Sequence, residues 1–301
     1  MHEYRINPSS PFSFEQTAAL LSPGPDDSID VFDGKRYTRL LDLDGRMRLA
    51  LVSSLGVEQR PELIITLMNG TEQDERQISK VLSRMMGMDQ DLAPFYELCR
   101  SDPQMYGLSR DHYGLKAPLR PHPFEVLALS IASQPGATHF FRASLSELAE
   151  RISYSVAYAG HTFCAFPDPA SLAARKPRDL AGGSLTAHQA EQIHSLATCV
   201  TSGDLDLKGL ARRPLDTLLS ELQSCKGIGP LGAQLTALAG YGRLDCFPSA
   251  DSVLRRWIGR NVFETDEIDE QTAKGWAEPW GDLRGYAAIY IYADLLKDGL
   301  I

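Results

Sequence analysis

Long apolar runs are missing from this chain of 301 residues. No stretch approaches the roughly 18–20 uninterrupted apolar residues that a membrane span requires. The opening residues, Met-His-Glu-Tyr-Arg, lack the basic-then-apolar layout of a secretory leader, so a cytoplasmic protein is expected, nucleoid-associated in a bacterium. Cysteine is scarce and scattered. Cys99, Cys164, Cys199, Cys225 and Cys246 are odd in number and contain no Cys-x-x-Cys pair. That argues against a disulfide scaffold, and against a zinc or iron–sulfur site built from neighbouring thiolates. Positive charge is in deficit, 30 Lys and Arg against 39 Asp and Glu, for a net charge of −9. No basic footprint of the kind that phosphate binding leaves covers the whole molecule.

What is present is an ordinary globular composition, 43% hydrophobic and 23% charged, able to bury a substantial core. The length points to two domains, since single cores stop growing at about 250–300 residues. Charge is unevenly spread. From Lys208 to Arg260 there are eight basic residues against four acidic ones, whereas Asn261 to Ile301 carries nine acids and three bases. A local surface suited to DNA therefore survives inside an acidic protein.

The first part reads as β-rich. Asp33-Gly34 and Asp44-Gly45 separate the runs Val31-Phe32, Lys35–Asp42 and Arg46–Ser53, a strong hairpin signal. In the third run Met47, Leu49 and Leu51 alternate with Arg46, Arg48 and Ala50, which predicts one buried face and one wet face. Leu63–Leu67 supplies a further strand. After Gly70 the period changes to helical, at Gln77–Met86, Leu92–Cys99 and then Phe124–Ala132, a run apolar nearly all round and so a central buried helix. Helical segments continue at Leu145–Ile152, Pro169–Ala174, Ala187–Thr201, Pro214–Ser224, Pro230–Tyr241, Asp251–Arg260, Glu270–Glu278 and Gly285–Lys297. The expected architecture is mostly α with an N-terminal α+β part: a small antiparallel β domain over residues 1–75, then an all-helical body over 76–301.

Chemistry concentrates between Leu222 and Trp257. Leu215, Leu218, Leu219 and Leu222 form a stripe leading into Gly227-Ile228-Gly229, and Pro230 suits the first position of a second helix. Glycines there let the backbone approach another surface, and the free N–H groups of the second helix suit a phosphate. A plain helix–helix turn uses the same residues. Asp251 lies directly before an apolar-periodic run, where an aspartate is ordinarily an N-cap. A carboxylate kept ionised at that position also suits a developing positive charge.

The segment from Cys225 to Trp257 resembles the helix-hairpin-helix DNA glycosylases, with their Gly-x-Gly hairpin and an aspartate about two dozen residues later. Among them it is most similar to the bacterial DNA-3-methyladenine glycosylase II (alkylbase) type. Pro11-Phe-Ser-Phe14 with the two hairpins, Phe124–Gln134, Phe166–Ala173, Leu185–Leu207, and Trp276, Pro279-Trp280 and Tyr286-Ala287-Ala288 extend the likeness in the same order along nearly the whole chain. The resemblance implies that Asp251 is catalytic. It also implies that Gly227, Ile228 and Gly229, with backbone amides on to Leu231, bind phosphate, that Gln134 contacts the DNA, and that Pro135 after it is the residue wedged into the helix gap. Bifunctional members carry a Schiff-base lysine where this chain has Leu231, so a monofunctional hydrolase is expected.

There are departures from the family pattern. Aromatic rings that line the base pocket in this type fall here on Leu231, Leu235 and Ser252; only Tyr292 keeps its ring. Pro135 is an unusual wedge. The expectation is a glycosylase that removes flipped-out, alkylated bases from duplex DNA, acting as a monomer without a membrane or a cofactor. A monovalent cation at the hairpin carbonyls is implied by the resemblance. The alternatives are a glycosylase for an oxidised or deaminated base, suggested by the less aromatic pocket, and a lesion-binding protein without catalysis. Asp251 speaks against the second, which needs no carboxylate near a phosphate backbone.

Overall fold

The computed structural model describes residues 1–22, 24, 26–133 and 145–301. Gln134 and Pro135 lie outside the described residues. The chain opens with strand β1 (His2–Ile6), helix α1 (Phe14–Leu21) and strands β2 (Asp30–Phe32), β3 (Arg36–Leu43), β4 (Arg46–Ser54) and β5 (Leu63–Met68). Helices α2 (Glu72–Met85), α3 (Ala93–Cys99), α4 (Pro103–Asp111), α5 (Pro123–Ala132) and α6 (Ser146–Ile152) follow, then a β6 (Ser155–Tyr158) and β7 (His161–Cys164) hairpin. Next come α7 (Pro169–Ala173), α8 (Pro177–Leu180), α9 (Ala187–Ser202), α10 (Leu207–Leu210), α11 (Leu215–Gln223) and α12 (Pro230–Leu235), the last running into a π-helical turn (Thr236–Gly240). The chain closes with α13 (Ser252–Val262), α14 (Glu270–Ala277), a 3-10 turn (Glu278–Leu283) and α15 (Arg284–Lys297).

The first five strands form one antiparallel sheet in the order β1-β5-β4-β3-β2. Its hairpins sit where the Asp-Gly pairs place them. Asp44 and Gly45 both take positive φ, 54° and 86°, as a two-residue turn between right-twisted strands demands. At the first turn the Asp33 carboxylate accepts the Lys35 and Arg36 amides. The expected wet face of β4 is not wet at its centre. Leu49, Ala50, Leu51 and Val52 are all buried. Ala50 and Val52 pack with α1 and α2, through Ala18, Leu21, Ile78 and Leu82. Leu49 and Leu51 pack with Phe163 and Ala165 at the β6–β7 hairpin. The body is therefore not all-helical: a hairpin inserted in it covers the outer side of the sheet. The sheet's own core runs on through α2 to Met88, past the textural change after Gly70.

Helix α5 is the axis of the body. His122 caps it by accepting the Phe124 amide, Pro123 starts it, and every residue from Pro123 to Leu129 is buried. It packs against α9, α12 and the π-helical turn. A buried ion cluster joins it to the sheet. Arg39 on β3 grips both oxygens of Asp30 at 2.6 and 2.7 Å and both oxygens of Glu125 on α5 at 2.8 and 2.7 Å. Arg120 and the Tyr37 hydroxyl also donate to Asp30. Burial alone would lift both acids. At Asp30 two guanidinium groups outweigh it and hold the carboxyl below its usual range, whereas Glu125 ends above its own. Removing the arginine strands the Glu125 carboxyl in the core and leaves Asp30 with Arg120 and Tyr37 alone. Arg39→Ala is expected to lower the free energy of unfolding by about 3–5 kcal/mol, measured by urea denaturation at neutral pH; a loss within the range of an exposed substitution would show that the cluster holds nothing together.

Candidate functional site

Helix α11 buries Leu218 and Leu222 and leaves Leu215 and Leu219 half-covered, as its stripe requires. It ends at Ser224, and a turn closed by the Ile228 amide on the Cys225 carbonyl (3.1 Å) leads into α12. Gly227 has φ +91°, and a Cβ there would lie 2.8 Å from the Gln192 side chain. Ile228 plugs the turn into the core at 5% exposure. Gly229 is different. Its backbone is extended (φ −86°, ψ −179°), any residue could adopt it, and a Cβ would meet nothing within 4 Å. Lys226, Gly227, Gly229 and Pro230 are exposed, and the first-turn amides of α12 have no intrahelical acceptor. The turn presents bare backbone to solvent.

Behind that turn α12 seats closely on α5, where a Cβ at Gly232 would come 3.3 Å from Ser130. The helix expected as far as Tyr241 changes hydrogen-bond pattern after Leu235, with the Tyr241 amide reaching the Thr236 carbonyl at 3.0 Å. Gln234, buried in α12, donates to Ser249 Oγ (3.2 Å) and accepts the Ala250 amide (3.0 Å). Ser249 Oγ donates onward to Glu270 on α14 (3.1 Å), and Arg255 returns to the Ser249 and Ala250 carbonyls while pairing with Glu267. The residues just before Asp251 are thus strutted from three helices. Composition and spacing did not mark Gln234, Ser249 or Arg255; the one available signal was a lone amide in the apolar run of α12.

Asp251 is the N-cap of α13 and is also buried, at 8% exposure. Its Oδ1 accepts the Val253 amide at 2.8 Å, and its Oδ2 accepts the Tyr292 hydroxyl of α15 at 2.6 Å. The helix cap is thus also a buried carboxylate. Burial pushes this carboxyl above the ordinary aspartate range, against the opposing pull of Tyr292, the Val253 amide, Arg255 and Arg256. Ionisation there is less assured than a helix start alone implies. Tyr292, read from the sequence either as a pocket ring or as a core aromatic, is 2% exposed and turns its hydroxyl onto Asp251. Leu235 is equally buried in the core, while Leu231 and Ser252 keep partial exposure. Trp280 is a core residue packed at a tilt of 53° against the half-buried Trp276, which also meets Phe247.

No family model matches the chain. A DNA-3-methyladenine glycosylase of Bacillus subtilis (strain 168) is 26% identical over 247 residues, covering 79% of this chain and 80% of that protein. A 3-methyladenine DNA-glycosylase structure from Archaeoglobus fulgidus superposes with a TM-score of 0.86 at 20% identity, over 99% of this chain and 100% of the other. The 8-oxoguanine glycosylase/lyase of Clostridium acetobutylicum, solved with double-stranded DNA containing cytosine opposite 8-oxoG, gives 0.77 at 16% identity, over 99% of each chain.

The two hairpin glycines have separate reasons, and stability separates them. Gly227→Ala should destabilise the protein by at least about 1 kcal/mol, because L residues are strained at that φ and Gln192 must move. Gly229→Ala should hold or slightly raise the denaturation midpoint, because alanine adopts that backbone freely and restricts the unfolded chain. Equal losses in chemical denaturation would contradict the assignment.

Proposed function

We propose that this chain, a member of the helix-hairpin-helix DNA glycosylase superfamily by sequence relation and fold, is a monofunctional hydrolase that removes alkylated, 3-methyladenine-like bases from duplex DNA. One observation carries this. A buried carboxylate, Asp251, is held at a helix start by two hydrogen bonds and is tied through Gln234 to a solvent-facing Gly-Ile-Gly turn. Gly229 has no internal reason to be glycine, and close approach of an outside backbone supplies one. Phosphate oxygens on the α12 amides would fix the duplex without regard to sequence.

The chemistry follows from the leaving group. A purine alkylated on a ring nitrogen carries positive charge and departs neutral, so the bond to C1′ breaks without a general acid. Positive charge then develops on the sugar, and a single anion placed against it stabilises the transition state. Water bonds to C1′ and releases its proton to solvent. The 3-methyladenine glycosylases of Bacillus and Archaeoglobus that this chain resembles favour an alkylated substrate. The lyase named among the structural neighbours raises the other possibility, an oxidised base with strand cleavage. Against it stands Leu231, which offers no amine, while Lys226 sits exposed on the turn. No step uses a cofactor. The neutral carbonyls of the hairpin turn suit a hard monovalent cation, which would brace the turn and enter no bond change.

Duplex oligonucleotides, each carrying one defined lesion, test the substrate class. Alkylated purines should yield abasic sites in strands that break only on alkali treatment. Asp251→Asn should slow single-turnover release by about 100- to 1,000-fold with DNA affinity retained; release at the parent rate would reduce Asp251 to a helix cap. Borohydride added during turnover should trap no protein–DNA adduct, and an adduct lost on replacing a lysine would overturn the monofunctional assignment. Gly229→Phe should weaken binding to damaged and undamaged duplex alike, and a loss confined to the lesion would count against phosphate contact there.

A further inference from the structure

We infer that Tyr292 is the positioning residue of Asp251: its hydroxyl fixes the carboxylate as an anion that serves as countercharge and not as proton acceptor. The role of that anion rests on the glycosylase assignment; the pairing itself rests on geometry.

The two hydrogen bonds to Asp251 have different origins. The Val253 amide at 2.8 Å is what any capping aspartate receives two residues on. The Tyr292 bond at 2.6 Å comes from another helix, 41 residues away, and capping does not require it. Tyr292 sits in a stretch of α15, Gly285 to Ala293, that is buried throughout. A phenylalanine would fill that slot, so the added oxygen is there for a partner. The length is that of an O–H donating to a charged acceptor, among the stronger hydrogen bonds available. With each oxygen accepting a donor, the carboxylate is a poorer base and a better oriented charge.

Electrostatics agree in sign. Burial raises the affinity of Asp251 for its proton, and a donor that bonds the ionised form lowers it. Of the groups that oppose burial, Tyr292 is the strongest, ahead of the Val253 amide and of Arg255 and Arg256 from α13. Arg255 is already engaged with Glu267 and two carbonyls. Tyr292 is faced in turn by Asp251 and Cys246, and burial with that neighbouring negative charge holds its phenol well above the usual tyrosine range, protonated and available as a donor. Losing the hydroxyl therefore moves the ionisation of Asp251 to higher pH.

The free protein, labelled with ¹³C at the aspartate carboxyls, is the material for the test. In Tyr292→Phe the Asp251 Cγ titration midpoint should rise by about one pH unit or more relative to the parent. The acid limb of base release on an alkylated duplex should move up by the same interval, with the high-pH plateau recovered to within a few-fold. An unmoved Cγ midpoint overturns the inference. Should the variant not fold, the parent decides: the ¹³Cζ resonance of Tyr292 should follow the Asp251 titration, and a resonance silent through it overturns the inference equally. Absence of base release from every lesion would sink the glycosylase assignment and leave the titration result standing. Release that persists with an unmoved titration would sink the positioning role alone.

Discussion

Taking a carboxylate out of water is costly, and only donors aimed at its oxygens, together with nearby positive charge, offset that cost. Asp251 stands at this point of tension. It is more than nine-tenths buried, and its two oxygens are met by a main-chain amide from its own helix and a phenol from the last one. The neighbouring architecture serves this placement. Gln234, Ser249, Glu270 and Arg255 pin the residues that lead into it, and Gly285 lets α15 come close enough to Leu238 and Leu244 to bring Tyr292 to the same spot. The carboxylate is thereby held in one orientation by donors from two helices.

A second buried charge cluster does a mechanical task at some remove. Arg39 spans Asp30 on the sheet and Glu125 on α5 with two bidentate grips, so the sheet and the axial helix are fixed to each other through ions. The same helix supports α12, and α12 carries the Gly-Ile-Gly turn. Sheet, axial helix and hairpin are thereby one connected frame. The β6–β7 hairpin completes it by covering the outer face of the sheet, which would otherwise expose Leu49 and Leu51. Hydrophobic burial drives the assembly together, and the arginine joins the sheet to the axial helix across it.

Much of the fold was legible residue by residue. The Asp-Gly turns are visible because Gly45, and Asp44 beside it, accept positive φ, a property of the residues themselves. Helices α5, α9, α11 and α13 follow from apolar spacing, and β5 from a short β-branched apolar run. The elements that escaped notice carry weak local signals. Strand β1 is a half-exposed edge whose partner lies more than fifty residues on, and the β6–β7 turn uses Ala159 at φ +51° in place of an Asn or Asp. The two hairpin glycines look alike in the sequence. Only their surroundings separate a strained turn beside Gln192 from an open backbone at Gly229.

The amino-acid sequence by itself determined the local geometry: which turns close and which helix begins at Asp251. These depend on backbone preference and side-chain chemistry within a few residues. Tertiary structure alone decided that Tyr292 would be a hydrogen-bond donor to a buried aspartate and not a ring lining an open pocket. It alone paired Gln234 with the loop fifteen residues away, and Arg39 with a carboxylate 86 residues away. Each of those pairings follows from which helices pack together and in what register, a property of the assembled core that no window along the chain contains.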